Sequence, residues 1–227
     1  MGAGRGSTHV QAVGGLRHTV HAIPNQIPRE WRKRRQQEGS LKLFQVEEAA
    51  KNGHDDVVKV LIAKGADVKA EDAAGYSPLI YAAIQGHTDI LSLMIEHGAN
   101  VNAKTNNGKY ALTWAVENGH TETAKKLIEK GANVNVKSPC GASLVLTAVI
   151  SGHTDSAIML VENNIDINTA DEDGATALMM AAEAGNVEMV RILLEKGADR
   201  SLKDSEGQSA LDHARLSENE EVIKLLQ

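Results

Sequence analysis

The stretch from Gly75 to Thr105, GYSPLIYAAIQGHTDILSLMIEHGANVNAKT, recurs along the chain with almost no change in length. Gly75, Gly108, Gly141, Gly174 and Gly207 stand 33 residues apart, and Gly53, Gly86, Gly119, Gly152 and Gly185 keep the same interval. A third series, Gly65, Gly98, Gly131 and Gly197, stays in register, with Asn164 where the glycine is missing. Glycine ladders in phase at a period of this size indicate stacked structural repeats.

A single unit reads as helix, turn, helix and extended loop. Ser77 is placed to cap a first helix, and Pro78 to occupy its first position, where a missing N–H costs nothing. Leu79, Ala82 and Ala83 share one face, and the alanines let a neighbouring unit approach closely. Gly86 supplies the left-handed backbone of a helix end. Thr88 is expected to cap the second helix, whose Ile90, Leu91, Leu93, Met94 and Ile95 form a broad apolar surface closed by Gly98. Ala99 to Ala103 lead into the next unit. The predicted fold is an all-α solenoid of 33-residue units.

The runs Ser77-Pro78-Leu79-Ile80-Tyr81-Ala82-Ala83, Gly86-His87-Thr88-Asp89 and Gly98-Ala99-Asn100-Val101-Asn102 resemble the ankyrin repeat, a 33-residue unit built on a TPLHxA core. The resemblance covers residues 41–227, with units at about 41–72, 73–105, 106–138, 139–171, 172–204 and 205–227. The first unit departs at its front, where Phe44-Gln45-Val46-Glu47-Glu48-Ala49-Ala50 replaces the usual opening. In the last, His213, Arg215, Glu218, Asn219, Glu220 and Glu221 replace expected apolar or small residues. Both read as caps, because a terminal unit must present one face to water. In the fourth unit Ser143-Leu144-Val145-Leu146-Thr147-Ala148-Val149 lacks the proline and adds β-branched residues. That predicts either the least stable repeat or one offering Val145 and Leu146 to a ligand.

Composition agrees. With one phenylalanine, two tryptophans and three tyrosines among 227 residues, the core must be aliphatic. Cys140 is the only cysteine, so no intrachain disulfide forms and a reducing, cytoplasmic setting is expected. No apolar run is long enough to cross a bilayer. The net charge of -6 divides unevenly: residues 1–40 carry seven basic and two acidic residues, residues 41–227 carry 17 and 28. An acidic repeat body is a poor match for a nucleic-acid backbone.

Residues 1–40 read as a flexible basic segment, rich in glycine and without a periodic apolar face. It lacks a signal-peptide core, its amphipathic pattern is too weak for a mitochondrial leader, and Gly6 stands where myristoylation needs Ser or Thr. The cluster Arg32, Lys33, Arg34 and Arg35 is either a solvated charge run or a nuclear-targeting signal. Trp31 beside it anchors a short helix or lies exposed.

No catalytic, metal or cofactor constellation emerges, and no enzyme activity is expected. His54, His87, His120 and His153 recur one per unit. Stacked helices lie about 8–10 Å apart, whereas zinc ligands converge to about 2 Å from one ion. Turn hydrogen bonding is the expected role. Cys140 and His153 lie at opposite ends of one helix and do not form a nucleophile and base. The glycines stand singly, without a phosphate-cradling loop.

The resemblance implies a concave groove, made of turn tips and first helices, that binds a partner protein, with the chain itself a monomer. The family's variable positions correspond here to Ala73, Ala74, Tyr76, Ile84 and Gln85, then Asn106, Asn107, Lys109, Glu117 and Asn118. The next units supply Pro139, Cys140, Ala142, Ile150 and Ser151, followed by Glu172, Asp173, Ala175, Glu183 and Ala184. Tyr76, Tyr81, Tyr110 and Trp114 are four of only six aromatic residues. Tyr and Trp are enriched at interface hot spots, so these rings are either a binding centre or filling between stacked helices. Asp171-Glu172-Asp173 is a steering patch for a basic partner or an ordinary solvated turn. The resemblance also implies that Asn102, Asn135 and Asn168 are either asparagine-hydroxylation substrates or structural turn residues.

Overall fold

The computed structural model describes residues 38–163 and 165–227, with side chains from Gln45 onward. The Arg32 to Arg35 cluster, Trp31 and Asn164 lie outside the described residues, as does the side chain of Phe44. Residues 42–227 form one compact unit. Among the described residues there are twelve helices and no strands, and the helices follow one another in pairs. The pairs are α1 (Glu38–Lys51) with α2 (Asp55–Ala63), α3 (Pro78–Gln85) with α4 (Thr88–Glu96), and α5 (Ala111–Glu117) with α6 (Thr121–Glu129). They continue with α7 (Leu144–Ile150) and α8 (Thr154–Glu162), α9 (Ala177–Glu183) and α10 (Val187–Glu195), and α11 (Ala210–Leu216) and α12 (Glu220–Leu226). From α3 on, each first helix packs on the next first helix, and from α2 on each second helix packs on the next second helix.

The local chemistry explains the boundaries. Ser77 Oγ accepts the Ile80 N–H at 3.3 Å, with Pro78 in the first turn. Ser143, Thr176 and Ser209 cap α7, α9 and α11 in the same way. Between pairs the chain turns back in loops joined by single antiparallel bridges, Lys104 to Tyr110, Lys137 to Ser143 and Lys203 to Ser209. The helix α1 is 14 residues long and starts at Glu38, ahead of the boundary expected at Leu41.

The second-helix caps differ from expectation. His87, not Thr88, holds the cap position of α4, and it makes no side-chain bond to its own helix. Its ring reaches back to the preceding pair, Nε2 lying 3.3 Å from the Lys51 carbonyl. Thr88, freed from capping, bonds its hydroxyl to Thr123 Oγ1 in α6 at 2.7 Å.

The core is aliphatic. Leu79, Ile90, Leu91, Met94, Leu112, Leu127, Leu144, Leu160 and Leu178 are fully buried, each contributing about 1.5–3 kcal/mol relative to an exposed position. Alanines at 82, 83, 115, 148, 181, 182 and 214 are buried between neighbouring pairs. Two expectations need correction. Val145 and Leu146 are both 0% exposed, so neither can offer its side chain to a ligand. The β-branched fourth unit instead buries every residue from Leu144 to Thr147, and Ala148 with them. His213, expected on a polar outer end, is 7% exposed and faces inward, where carboxylates from α9 and from its own loop satisfy both ring nitrogens.

Candidate interaction surface

The tips of successive loops are stitched to one another. Asn106 donates its backbone N–H to the Ala74 carbonyl at 3.0 Å and its side-chain amide to the Ala73 carbonyl at 3.1 Å. Ser205 N–H bonds the Asp173 carbonyl at 2.8 Å. Gly75 shows why glycine is required at the tip: its φ is +81°, and a Cβ there would lie 2.6 Å from Asn106 Oδ1.

Asp72 organises the second unit's tip. Its Oδ1 accepts the N–H groups of Ala74 at 2.8 Å and Tyr76 at 3.0 Å, and its Oδ2 accepts the Tyr81 hydroxyl at 2.9 Å. Burial pushes the Asp72 carboxyl up, but these donors outweigh it and hold the group below the usual carboxylate range. Burial, then the bond to Asp72, pushes the Tyr81 phenol well above its ordinary value. Tyr81 is thereby fixed against Tyr76, with centroids 5.4 Å apart and planes at 28°. Tyr76 in turn meets Trp114 of the next unit at 6.0 Å and 41°. Lys109 completes the group, its Nζ 4.4 Å above the Trp114 ring and 2.8 Å from Glu117 Oε1. A cation over an indole face and beside a carboxylate is held by both.

Tyr76, Tyr81, Lys109 and Trp114 are therefore brought together, all half-buried: the rings close the seam between two units and still present surface. Ala73, Ala74, Gln85, Asn106, Asn107, Asn118, Pro139, Cys140, Glu172 and Asp173 are exposed. Two expected positions depart. Ala142 is 3% exposed and belongs to the core, because a single methyl is too short to emerge where Tyr76 and Lys109 do. Tyr110 shares no ring contact with the other aromatics among the described residues; its ring lies 5.9 Å from Lys104 Nζ.

Sequence reading missed a related arrangement at the far end. His213 in α11 places Nε2 2.8 Å from Asp204 Oδ2 and Nδ1 3.0 Å from Glu183 Oε2. Both bonds are donated together only by a doubly protonated ring. Asp204 is held below the usual carboxylate range by the Gln208 N–H and the His213 ring, with burial opposing. Asp72 and Tyr81 are nine residues apart, as are Asp204 and His213, and that shared spacing was the available signal.

The turn histidines link units. His120 Nε2 lies 2.9 Å from the Ile84 carbonyl, and His153 Nε2 lies 3.0 Å from that of Glu117. Cys140 is exposed, its Sγ 3.0 Å from Ser138 Oγ, so it and His153 serve different neighbours. Asn102 Oδ1 accepts the Asn133 N–H and Asn168 Oδ1 the Asp199 N–H, each at 2.8 Å, so both tie one loop to the next. Among the described residues no three His, Cys, Asp or Glu side chains could hold a metal ion, and no helix is long and apolar enough to cross a membrane.

A family model described as ankyrin repeats (3 copies) matches residues 46–138 and 142–227. Among curated proteins none matches significantly. Solved structures do. A chain of the complex of Bd0816 predatory endopeptidase from Bdellovibrio bacteriovorus with immunity protein Bd3460 is 35% identical, with TM-score 0.73, over 80% of this chain and 96% of that one. EF0377, an ankyrin repeat protein, is 28% identical with TM-score 0.75, over 81% of this chain and 96% of its own. An ankyrin repeat domain from Acinetobacter baumannii AYE is 27% identical with TM-score 0.73, over 80% and 95% respectively.

Proposed function

Because the chain belongs to the ankyrin-repeat family, whose members are in general non-enzymatic interaction modules, we propose that it binds a partner protein on the face made by its loop tips and first helices. The observation that carries this reading is the Tyr76–Tyr81–Trp114 group. Three large rings, pre-oriented by Asp72 and Lys109, stand half-buried across one seam of that face. Rigid aromatics lose little conformational entropy on binding and are the residues most often found at hot spots. A similar chain comes from a solved complex between an endopeptidase and an immunity protein, which supports a protein as the ligand class. Ala73, Ala74, Asn106 and Asn107 beside the rings form the surrounding rim.

The test is affinity capture with the intact protein beside Tyr76→Ala/Trp114→Ala, both checked by circular dichroism. A partner held by the first and lost by the second supports the reading. A partner held equally by both moves the interface elsewhere.

A further inference from the structure

The same face is chemically polarised along the stack. At its aromatic end, the tips and first helices of the second and third units carry Lys104, whose Nζ lies 5.9 Å from the Tyr110 ring, and Lys109, which is already engaged by Glu117 and the Trp114 ring. The fourth unit's tip, Ser138-Pro139-Cys140, carries no charge. The fifth and sixth units then bring seven carboxylates to the tips and first helices: Asp171, Glu172, Asp173, Glu183, Asp204, Glu206 and Asp212, the last of them paired with Arg215 at 2.7 Å. His213 bonds Glu183 and Asp204, and Asp171 is occupied in holding the N–H groups of Asp173 and Ala175. Glu172, Asp173 and Glu206 remain exposed. The nearby Lys203, bridged across the loop to Ser209, acts on the Asp212 carboxylate, so with Arg215 two cations stand against the seven carboxylates.

Resting on the groove reading above, we infer that the partner contributes an extended segment with a large apolar or aromatic side chain at one end, seated on Tyr76 and Trp114, and Lys or Arg side chains at the other, facing Glu172, Asp173 and Glu206. The spacing follows from the stack. Units repeat at about 8–10 Å, so Trp114 of the third unit and Asp173 of the fifth are about 16–20 Å apart, which extended chain at about 3.3 Å per residue spans in five or six residues. The anchor and the basic pair are separated by that number. An acidic end of this kind raises the encounter rate and sets the register of the segment, while the rings carry most of the affinity.

The experiment is selection of a displayed library of random peptides, about twelve residues long to cover the span, on the full chain. Fluorescence anisotropy then follows the enriched peptides as synthetic, labelled probes. Expected peptides place an aromatic or large apolar residue five or six positions from Lys or Arg. Their binding weakens about thirtyfold with Tyr76→Ala/Trp114→Ala, weakens about tenfold with Glu172→Lys/Asp173→Lys/Glu206→Lys, and falls with added salt. Should the charge-reversed protein lose its helical circular dichroism, Glu172→Gln/Asp173→Asn replaces it, with a smaller loss expected. Enriched peptides without basic residues, or affinities unmoved by charge removal, overturn the inference. The groove reading survives that result if the aromatic double variant still abolishes binding, and falls with it if binding ignores both variants. Failure to enrich any sequence also overturns the inference.

Discussion

The turns between paired helices follow nearly one backbone path in the third to fifth helix pairs, yet they are held in two ways. In the turns before α6 and α8, His120 and His153 leave their own helix without a side-chain cap and bond the carbonyl of the preceding first helix. Before α10 and α12, asparagine takes the same place. Asn186 Oδ1 caps the Met189 N–H at 3.0 Å while its amide reaches Thr154 Oγ1. Asn219 caps Glu221 and Val222 and donates to the Gly185 carbonyl at 3.2 Å. Side-chain shape makes the difference: the imidazole serves the neighbouring unit alone, whereas the amide turns its oxygen onto the N–H groups beside it while its NH2 still reaches the neighbour. The consequence falls on the preceding glycine. Gly86 and Gly119 lie directly under the His120 and His153 rings, whereas a Cβ on Gly152, which precedes Asn186 by the same interval, would meet nothing within 4 Å.

Substituting these glycines gives the largest predicted effect. Gly86→Ala forces an L-residue to φ +75° and puts its Cβ 2.6 Å from His120 Nδ1, for a loss of about 3 kcal/mol. Gly152→Ala meets only the backbone cost, about 1 kcal/mol. Urea denaturation compares them, and equal losses would show that the ring imposes no constraint of its own.

Removing the ring should come next. His120→Ala forfeits the bond to Ile84 and costs about 1–1.5 kcal/mol. Combined with Gly86→Ala it should cost less than the sum, by about 1 kcal/mol, because the clash goes with the ring. A strictly additive double mutant would argue against direct contact.

A third test contrasts the two ends through acid. Asp72 and Asp204 both have lowered folded values, so each contributes stability at pH above the ordinary Asp value of about 3.9 and loses it as pH falls through the lower folded value. Asp72→Asn should therefore destabilise at neutral pH, with the gap to the parent protein narrowing below about pH 4. Asp204→Asn should show the same sign. A gap independent of pH, followed by chemical denaturation across that range, would remove the carboxylates from the account of acid unfolding.

The smallest effect is expected from exchanging one solution for the other. Asn186→His gives up a cap and gains a ring able to lie over the open space at Gly152, so the net change should stay within about 0.5 kcal/mol. A loss well above 1 kcal/mol would mean that the fifth unit cannot accept the linkage used before it.

Much of this molecule is legible one residue at a time. The hydroxyl caps at Ser77, Ser143, Thr176 and Ser209, the positive-φ glycines and the buried alanines are local requirements of a helix start, a helix end and a close approach, so the sequence states them openly. The site was less legible. Tyr76 and Trp114 were recognisable as surface candidates, but their meeting depends on 37 intervening residues closing one unit onto the next. Ala142 occupies the same register as Tyr76 and is nevertheless buried, because exposure there depends on side-chain length against the packed loop.

The sequence by itself determined the period, the helical class and the aliphatic core, since each follows from repeated local chemistry at a fixed interval. Tertiary structure alone decided what the polar residues do. It placed His213 between two carboxylates instead of on an outer end, and sent His87 and His120 backward instead of capping forward. The physical reason is that a helix-start pattern is written within four residues, whereas these hydrogen bonds join residues nine to thirty-six apart and exist only once neighbouring units have stacked.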